Sequence, residues 1–310
     1  MRLVIILLLC QCACNSVLAA CRDITLSGLV DQNSLWRDLN ILAADDMHGR
    51  QTGRPGAAKA RDFIASRFKD IGLISFEAAS PYLRPFKHSR WLSEFVGINV
   101  VGWLPGSEYR DEFIVITAHY DHIGTLGSKV FNGADDNASG VAALLAIASQ
   151  VQMHRTKHSV LFVATDAEER GLFGAKAFVS DPPVAIDSIK YNLNLDMLAQ
   201  GGRRHRLYVS ASTANAELSA VVQRTKEEAG LCLVSGHKRA GFGSSSAQLN
   251  WRKASDHAAF ASKGIAYLFV GVDVHPDYHT VEDDVDKIDV RFFTAASETA
   301  LRLLRNMDKQ

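Results

Sequence analysis

Apolar residues follow two spacing patterns along the chain, and the alternation between these patterns predicts the fold class. Short apolar runs typical of buried strands lie at 113–118, 160–165, 191–195, 207–210 and 265–270. Segments with apolar residues along one helical face lie at 26–42, 57–71, 138–151, 214–229 and 290–307, and a further helix is predicted after Gly174. This alternation favours an α/β three-layer sandwich, in which a mostly parallel central sheet is covered by helices on both faces.

The same pattern predicts where chemistry would be found and how many domains there are. In open α/β sheets, binding sites form where loops converge at the carboxyl ends of the strands. No internal repeat or low-complexity linker interrupts the alternation, so we expect a single domain over 21–310. A stretch rich in Gly and Ser at 236–246 predicts a surface loop.

Composition narrows the possible partners. The chain has 310 residues, 47% of them hydrophobic, which is enough to bury a large core. Basic and acidic residues number 34 each, so the overall charge gives no attraction to nucleic acid. We expect a monomer with no nucleic-acid partner, whose specificity is local.

The amino terminus resembles an export signal. Arg2 precedes an apolar run at 3–9, and small residues precede Cys21, which predicts a signal peptide over 1–20. Residues 18–21 also resemble the bacterial lipobox, in which the cysteine is acylated, and this predicts a periplasmic or outer-membrane lipoprotein anchored at Cys21. Ordinary cleavage near Ala19 or Ala20 would instead give a secreted protein without an anchor.

The cysteines predict a body without a disulfide. Four of the five lie at or before position 21, which leaves Cys232 alone in the body of the chain. Its neighbours Leu231, Leu233 and Val234 are apolar, so we expect Cys232 to fill core space.

Clusters of histidine and acidic residues follow several of the predicted strands. By itself each cluster has an ordinary explanation, such as a hydrogen-bonded histidine, a helix cap or a solvated loop. Together they supply imidazoles and carboxylates, which zinc and similar ions bind, in numbers sufficient for a pair of ions. The clusters contain His119 and Asp121, Asp135 and Asp136, Glu168 and Glu169, Asp196, and His279.

The order of these clusters resembles the M28 family of zinc peptidases, which includes bacterial leucyl-type aminopeptidases. The segments that carry the resemblance are 119–121, 133–140, 167–171, 194–197 and 279–280. It extends from about Leu39, through 47–50 and 52–53, to Asp289, and so covers nearly all of the predicted mature chain.

The resemblance implies two zinc ions per chain and a set of protein ligands for them. Asp135 would bridge the two ions. His119 and Asp196 would complete one site, and Glu169 and His279 would complete the other.

Catalytic roles are implied by the same resemblance. Glu168 would be the general base, and Asp121 would orient His119. Asp256 and His257 match a family segment near the pocket. The implied reaction removes residues from peptides with a free amino terminus. Glu168 would accept a proton from a metal-bound water, and the resulting hydroxide would attack the carbonyl group.

Three other functions remain open within this resemblance. One is a glutaminyl cyclase, which uses a single zinc, and another is a carboxypeptidase or dipeptidase of the same family. The third is a binding protein without activity on the same scaffold. The complete set of ligands and the base favours the aminopeptidase, and the short stretch between Phe86 and His119 leaves no room for an inserted protease-associated domain.

Overall fold

A computed structural model of the chain describes residues 23–90, 93–212, 215–236 and 250–310. The predicted signal peptide, Cys21 with its predicted lipid and most of the predicted loop at 236–246 lie outside the described residues. Within the described ranges, no helix has both the length and the apolar character needed to cross a membrane.

A large sheet runs through the middle of the described molecule. The strands are β1 (Leu83–Arg90), β2 (Ser93–Leu104), β3 (Tyr109–His119), β4 (Gly124–Leu126), β5 (Lys129–Phe131), β6 (His158–Thr165), β7 (Ile189–Leu195), β8 (Arg206–Ala211), β9 (Cys232–Ser235) and β10 (Ala266–Gly271). Eight of them form one sheet in the order β1-β2-β6-β3-β7-β10-β8-β9, and β4 pairs with β5 separately.

The middle of the sheet is parallel, as the sequence predicts. β6, β3, β7 and β10 are neighbours that run in the same direction, and β8 is parallel to β9. Every residue of β6 is buried, because layers on both faces cover the strand. The sequence-based prediction did not include the antiparallel strands β1 and β2, which extend one edge of the sheet.

Helices cover both faces of the sheet. They are α1 (Gln32–Leu42), α2 (Pro55–Ile71), α3 (Gly140–Met153), α4 (Phe173–Ser180), α5 (Ala216–Glu228), α6 (His257–Ala261) and α7 (Val290–Met307). Alternate residues of β6 enter two separate cores: Val160 and Phe162 pack in the larger one, and Leu161 and Val163 in the smaller one. The larger core contains residues of α1, α2, α3, α5 and α7, and the smaller contains residues of α4 and α6. The α/β three-layer sandwich is therefore confirmed.

Capping residues explain where two predicted helices begin and end. The helix predicted over 26–42 starts only at Gln32, because the Asp31 carboxylate accepts the N–H of Asn33 and caps it there. α2 stops at Gly72, as predicted, where the backbone turns left-handed with φ of 87°.

The structure corrects the prediction about Cys232. This residue is buried, as expected, but it is disulfide-bonded, so the prediction of a body without a disulfide is wrong. The other four cysteines precede the described residues. The Thr25 N–H donates to the Gly230 carbonyl at 2.7 Å, which brings the start of the described chain beside β9 despite the distance in sequence.

Candidate metal centre

Three neighbouring parallel strands deliver most of the predicted site residues to one edge of the sheet. β3 ends at His119, β6 ends three residues before Glu168, and β7 ends one residue before Asp196. Because the carboxyl ends of parallel strands meet at one edge, these side chains converge. His279 reaches the same place from the segment that follows β10.

Asp136 lies at the centre of this convergence, between two imidazoles. Its Oδ1 is 3.3 Å from Nε2 of His119, and its Oδ2 is 3.1 Å from Nε2 of His279. Each carboxylate oxygen therefore faces a different histidine. The Asp136 side chain is also buried, so little water reaches these contacts. Asp136 can therefore contribute one oxygen to each of two adjacent cations.

A further carboxylate flanks each histidine. Asp196 Oδ1 is 3.3 Å from Nε2 of His119, and Glu169 Oε2 is 3.3 Å from Nε2 of His279. The Glu168 side chain lies beside the first of these pairs, because the ligand atoms of His119, Glu168 and Asp196 are all within 4.8 Å of one another. The site thus has two halves that share Asp136.

These distances fit a pair of tetrahedral zinc sites. With bonds of about 2.0–2.1 Å, two ligand atoms of a tetrahedral zinc ion are about 3.3 Å apart. The four distances between nitrogen and oxygen atoms lie between 3.1 and 3.3 Å. Nε2 of His279 is also buried and faces the carboxylates of Asp136 and Glu169 without a well-directed hydrogen bond to either, which is the arrangement expected of ligands around an ion.

Burial and neighbouring charges shift the pKa values of the cluster in opposite directions. Burial raises the pKa of Glu168 well above its usual range. Burial would also raise the pKa of Asp136, but the imidazoles of His119 and His279 hold it well below its usual range. Burial would lower the pKa of His279, whereas the carboxylates of Asp136 and Glu169 raise it to about 10. A divalent cation would neutralise the same carboxylates.

Asp135, predicted as the bridging ligand, faces away from this cluster. Its Oδ1 accepts the backbone N–H of Ala199 at 2.7 Å, and its Oδ2 accepts that of Gln200 at 3.2 Å. Nε2 of His275 faces the same carboxylate at 3.2 Å. The structure therefore places Asp136, and not Asp135, in the position expected of a bridging ligand.

The reason for this correction lies in the turn that carries both residues. The Asp283 carboxylate accepts the N–H of Asp135 at 2.9 Å and that of Asp136 at 3.0 Å. With both N–H groups directed at Asp283, the two side chains leave the turn in different directions. The sequence shows two adjacent acids, but it does not show the distant carboxylate that orients them.

Asp121 contacts the candidate base more closely than the imidazole that it was predicted to orient. Its Oδ1 accepts the backbone N–H of Glu168 at 3.0 Å and is 3.9 Å from Nδ1 of His119. That nitrogen lies 3.1 Å from the carbonyl oxygen of Asp121 instead. Residue 121 thus contacts His119 through its main chain and the Glu168 loop through its side chain.

His122 is a site residue that sequence reasoning missed. Its Nδ1 is 2.9 Å from Glu169 Oε1 and 3.8 Å from Asp136 Oδ2, and its side chain is fully buried. Its place one residue after Asp121, in the segment that follows β3, was the available signal. The contact with Glu169 holds that carboxylate toward His279.

Asp256 and His257 lie behind the metal centre. Asp256 accepts the hydroxyl proton of Thr165, the last residue of β6, and burial raises the pKa of Asp256 to about 6. The His257 ring stacks on Phe269 with centroids 4.5 Å apart, and burial lowers its pKa to about 4. Neither side chain is part of the facing set of imidazoles and carboxylates.

Apolar side chains line a small pocket of about 30 Å³ next to the metal centre. They belong to Met197, Trp251, Phe269, Val272, Val274 and Tyr278.

Comparisons with known proteins identify the family of the chain. The model of peptidase family M28 matches residues 99–304. The "Alkaline phosphatase isozyme conversion protein" of Escherichia coli (strain K12) is 28% identical over 72% of this chain and 67% of its own length. "Aminopeptidase YwaD" of Bacillus subtilis (strain 168) is 29% identical over 61% of this chain and 40% of its own, so the chain spans less than half of that relative.

Solved structures share the fold. A zinc aminopeptidase from Bacillus subtilis superposes with a TM-score of 0.69 at 16% identity, covering 89% of this chain and 94% of its own. A glutaminyl cyclase from Porphyromonas gingivalis superposes with a TM-score of 0.67 at 19% identity, covering 92% and 100%. The family match spans more than half of the sequence and includes every residue that converges at the strand ends, so the chain belongs to peptidase family M28.

Proposed function

We propose that this peptidase is an aminopeptidase that binds two zinc ions and removes residues from the free amino end of peptides. The observation that carries the proposal is the shared position of Asp136 between His119 and His279, with a second carboxylate beside each imidazole. The carboxylates around His119 would hold one ion with that imidazole, and those around His279 would hold a second.

The residues divide between the two proposed sites. His119 and Asp196 would hold one ion, Glu169 and His279 would hold the other, and Asp136 would contribute to both. When bound, such ions lower the pKa of a water molecule and polarise the carbonyl group that is attacked.

Glu168 is proposed as the group that carries the proton. Its carboxylate lies beside His119 and Asp196, and its backbone N–H is held by Asp121. From there Glu168 accepts a proton from the attacking water and delivers it to the leaving amine. Asp121 fixes the loop that presents Glu168, and the Asp121 carbonyl orients the ring of His119.

The pocket beside the metal centre supports an aminopeptidase with a preference for apolar first residues. The side chains of Met197, Phe269, Val272 and Val274 offer an apolar surface next to the metal centre. The relative YwaD and the Bacillus subtilis neighbour are both named as aminopeptidases. An apolar side chain held there would place the following peptide bond near Glu168.

A glutaminyl cyclase is the second candidate, because one structural neighbour has that activity. A cyclase needs one ion and no attacking water. The contacts of His279 with Asp136 and Glu169 build a second half of the site, and this favours the hydrolase.

We also propose that the protein is exported to an oxidising compartment. The disulfide at Cys232 supports this location, since structural disulfides persist mainly outside the cytosol. A thioether-linked lipid on Cys21 would occupy its sulfur, so lipidated Cys21 could not be the disulfide partner. Intact mass of the mature protein, before and after reduction, distinguishes a lipid on Cys21 from a disulfide through it.

One preparation of the mature chain tests the enzymatic proposal. Bound metal is measured by elemental analysis, and turnover is measured with aminoacyl p-nitroanilides and with the same compounds blocked by N-acetylation. About two zinc ions per chain, cleavage of the free compounds alone and loss of activity on chelation are expected. One ion per chain without hydrolysis, together with cyclisation of an N-terminal glutaminyl peptide, would support the cyclase instead.

A further inference from the structure

A second cavity adjoins the pocket of the metal centre. Its volume is about 310 Å³, and it shares Val272 and Val274 with the pocket beside the metal ligands. The segment that contains these two valines follows β10 and leads to His279, so it forms a wall common to both spaces. The second cavity is therefore the immediate neighbour of the pocket at the metal centre.

Three arginines line this second cavity, which we name the arginine pocket. They are Arg203, Arg204 and Arg206, on the turn before β8 and at its first residue. Among the described lining residues, Asp273 is the only carboxylate, and its Oδ1 accepts the N–H of Val274. No described carboxylate lies within ion-pair distance of any of the three guanidinium groups. The pocket is therefore positively charged.

Arg206 has a donor that requires a partner. Its Nε is buried and makes no hydrogen bond to any described group. A buried donor without a partner costs free energy, and a carboxylate bound among the three arginines would neutralise the positive charge around it. The planar guanidinium group suits carboxylates because it can donate two parallel hydrogen bonds.

We propose that the arginine pocket binds a carboxylate of the substrate beyond the bond that is cut. The carboxylate is either an acidic side chain or the C-terminal carboxylate of a short peptide. This inference rests on the proposed function, because it assumes that the first residue of the peptide occupies the pocket beside the metal centre. It makes acidic or very short peptides the preferred substrate class.

Peptides matched in all but charge test the proposal. Each begins with leucine, carries glutamate or glutamine at the second or third position, and ends in a free or an amidated carboxyl group. At low salt, a glutamate or a free C-terminus within reach of the pocket is expected to raise kcat/KM about tenfold, mainly through a lower KM. The position that shows the effect identifies the source of the carboxylate.

Variants connect the preference to the arginine pocket. Arg206→Met is expected to remove most of the preference and to leave turnover of uncharged aminoacyl p-nitroanilides unchanged, whereas Arg206→Lys should keep part of it. Arg110→Met is the matched control, since Arg110 is exposed near the start of β3, at the opposite end of that strand from His119. It should leave the preference intact.

A binding measurement separates failure of this inference from failure of the proposed function. Calorimetric titration of Glu168→Gln with the same peptides needs no turnover, and about tenfold tighter binding of the carboxylate peptides is expected. Equal binding of all peptides, or a preference that survives Arg206→Met, would overturn the inference while leaving the aminopeptidase proposal intact. Absence of p-nitroanilide hydrolysis would count against the proposed function, and the titration would still decide the role of the arginines.

Discussion

Asp135 and Asp136 are neighbours in the chain, but the groups around their carboxylates differ. Backbone N–H groups surround Asp135, and imidazoles surround Asp136. The oxygens of Asp136 face the imidazoles of His119 and His279 and accept no backbone N–H from a described residue. The oxygens of Asp135 accept two backbone N–H groups and lie near the Ser139 hydroxyl. Both carboxylates are buried.

The difference shows how a buried carboxylate is satisfied in each region. Around Asp135, donors of the protein itself stabilise the negative charge, so this residue fastens the turn to the segment at 198–200. Around Asp136, the nearest partners are groups that can themselves bind metal. A carboxylate surrounded by N–H donors supports the structure, and one surrounded by imidazoles is available to a cation.

Replacing Asp136 by Asn should have the largest effect. The variant loses the negative charge that both halves of the site share, so we expect less than about half of the wild-type zinc and a loss of kcat of at least about a thousandfold. Elemental analysis and p-nitroanilide turnover measure the two quantities. Wild-type zinc content in this variant would contradict the shared role of Asp136.

Glu168→Gln should lose comparable activity for a different reason. The amide cannot accept the proton of the attacking water, while the facing imidazoles and carboxylates remain. We expect about two zinc ions per chain and kcat lower by several orders of magnitude, roughly 10³-fold or more. If metal is lost together with activity, Glu168 serves as a ligand and the assignment fails.

Asp135→Asn should lower stability more than catalysis. The new amide group would place N–H donors against those of Ala199 or Gln200, at a cost of about 2 kcal/mol in the free energy of unfolding. Zinc content should stay at the wild-type level. Denaturant unfolding measures the loss, and a variant that keeps its stability but releases zinc would return the bridging role to Asp135.

The pH dependence of the contact between Asp135 and His275 should give the smallest effect. Burial would lower the pKa of His275, but the nearby Asp135 carboxylate raises it above its usual value. Because the folded pKa exceeds the unfolded value of about 6.5, the contact stabilises the fold fully below that pH. This contribution is lost as the pH rises through the folded pKa.

His275→Gln tests this dependence. The variant's deficit in unfolding free energy, measured on chelator-treated protein so that zinc loss does not contribute, should shrink between about pH 6 and about pH 9. A deficit that stays constant over this range would show that Asp135 and His275 do not titrate as a pair.

Much of the fold was predictable because its signals are local. The apolar run at 160–165 identified β6, and the one-sided apolar pattern at 290–307 matched the observed bounds of α7. The antiparallel strands β1 and β2 were not predicted. The first helix was predicted to begin at residue 26, but it begins at Gln32. Caps and edge pairing decide these boundaries, and their apolar signal is weaker than that of a buried strand.

The candidate site was predictable in membership but not in orientation. His119, Glu168, Glu169 and Asp196 stand near strand ends in the sequence, His279 lies in the segment after β10, and the structure brings all five together. His122 was missed because a second histidine in the same segment has no periodic signal. The arginine pocket was not predicted either, since no local pattern distinguishes Arg203, Arg204 and Arg206 from the charged residues of an exposed turn.

The sequence by itself determined the alternation of strands and helices, the family and the set of groups that gather at the sheet edge, because each depends on residue type and short-range spacing. Tertiary structure alone decided which of two adjacent aspartates faces the histidines, since the carboxylate that orients both belongs to Asp283, 148 residues from Asp135. It also decided that Cys232 is disulfide-bonded. Contacts between residues so far apart depend on the packed chain, and no local pattern records them.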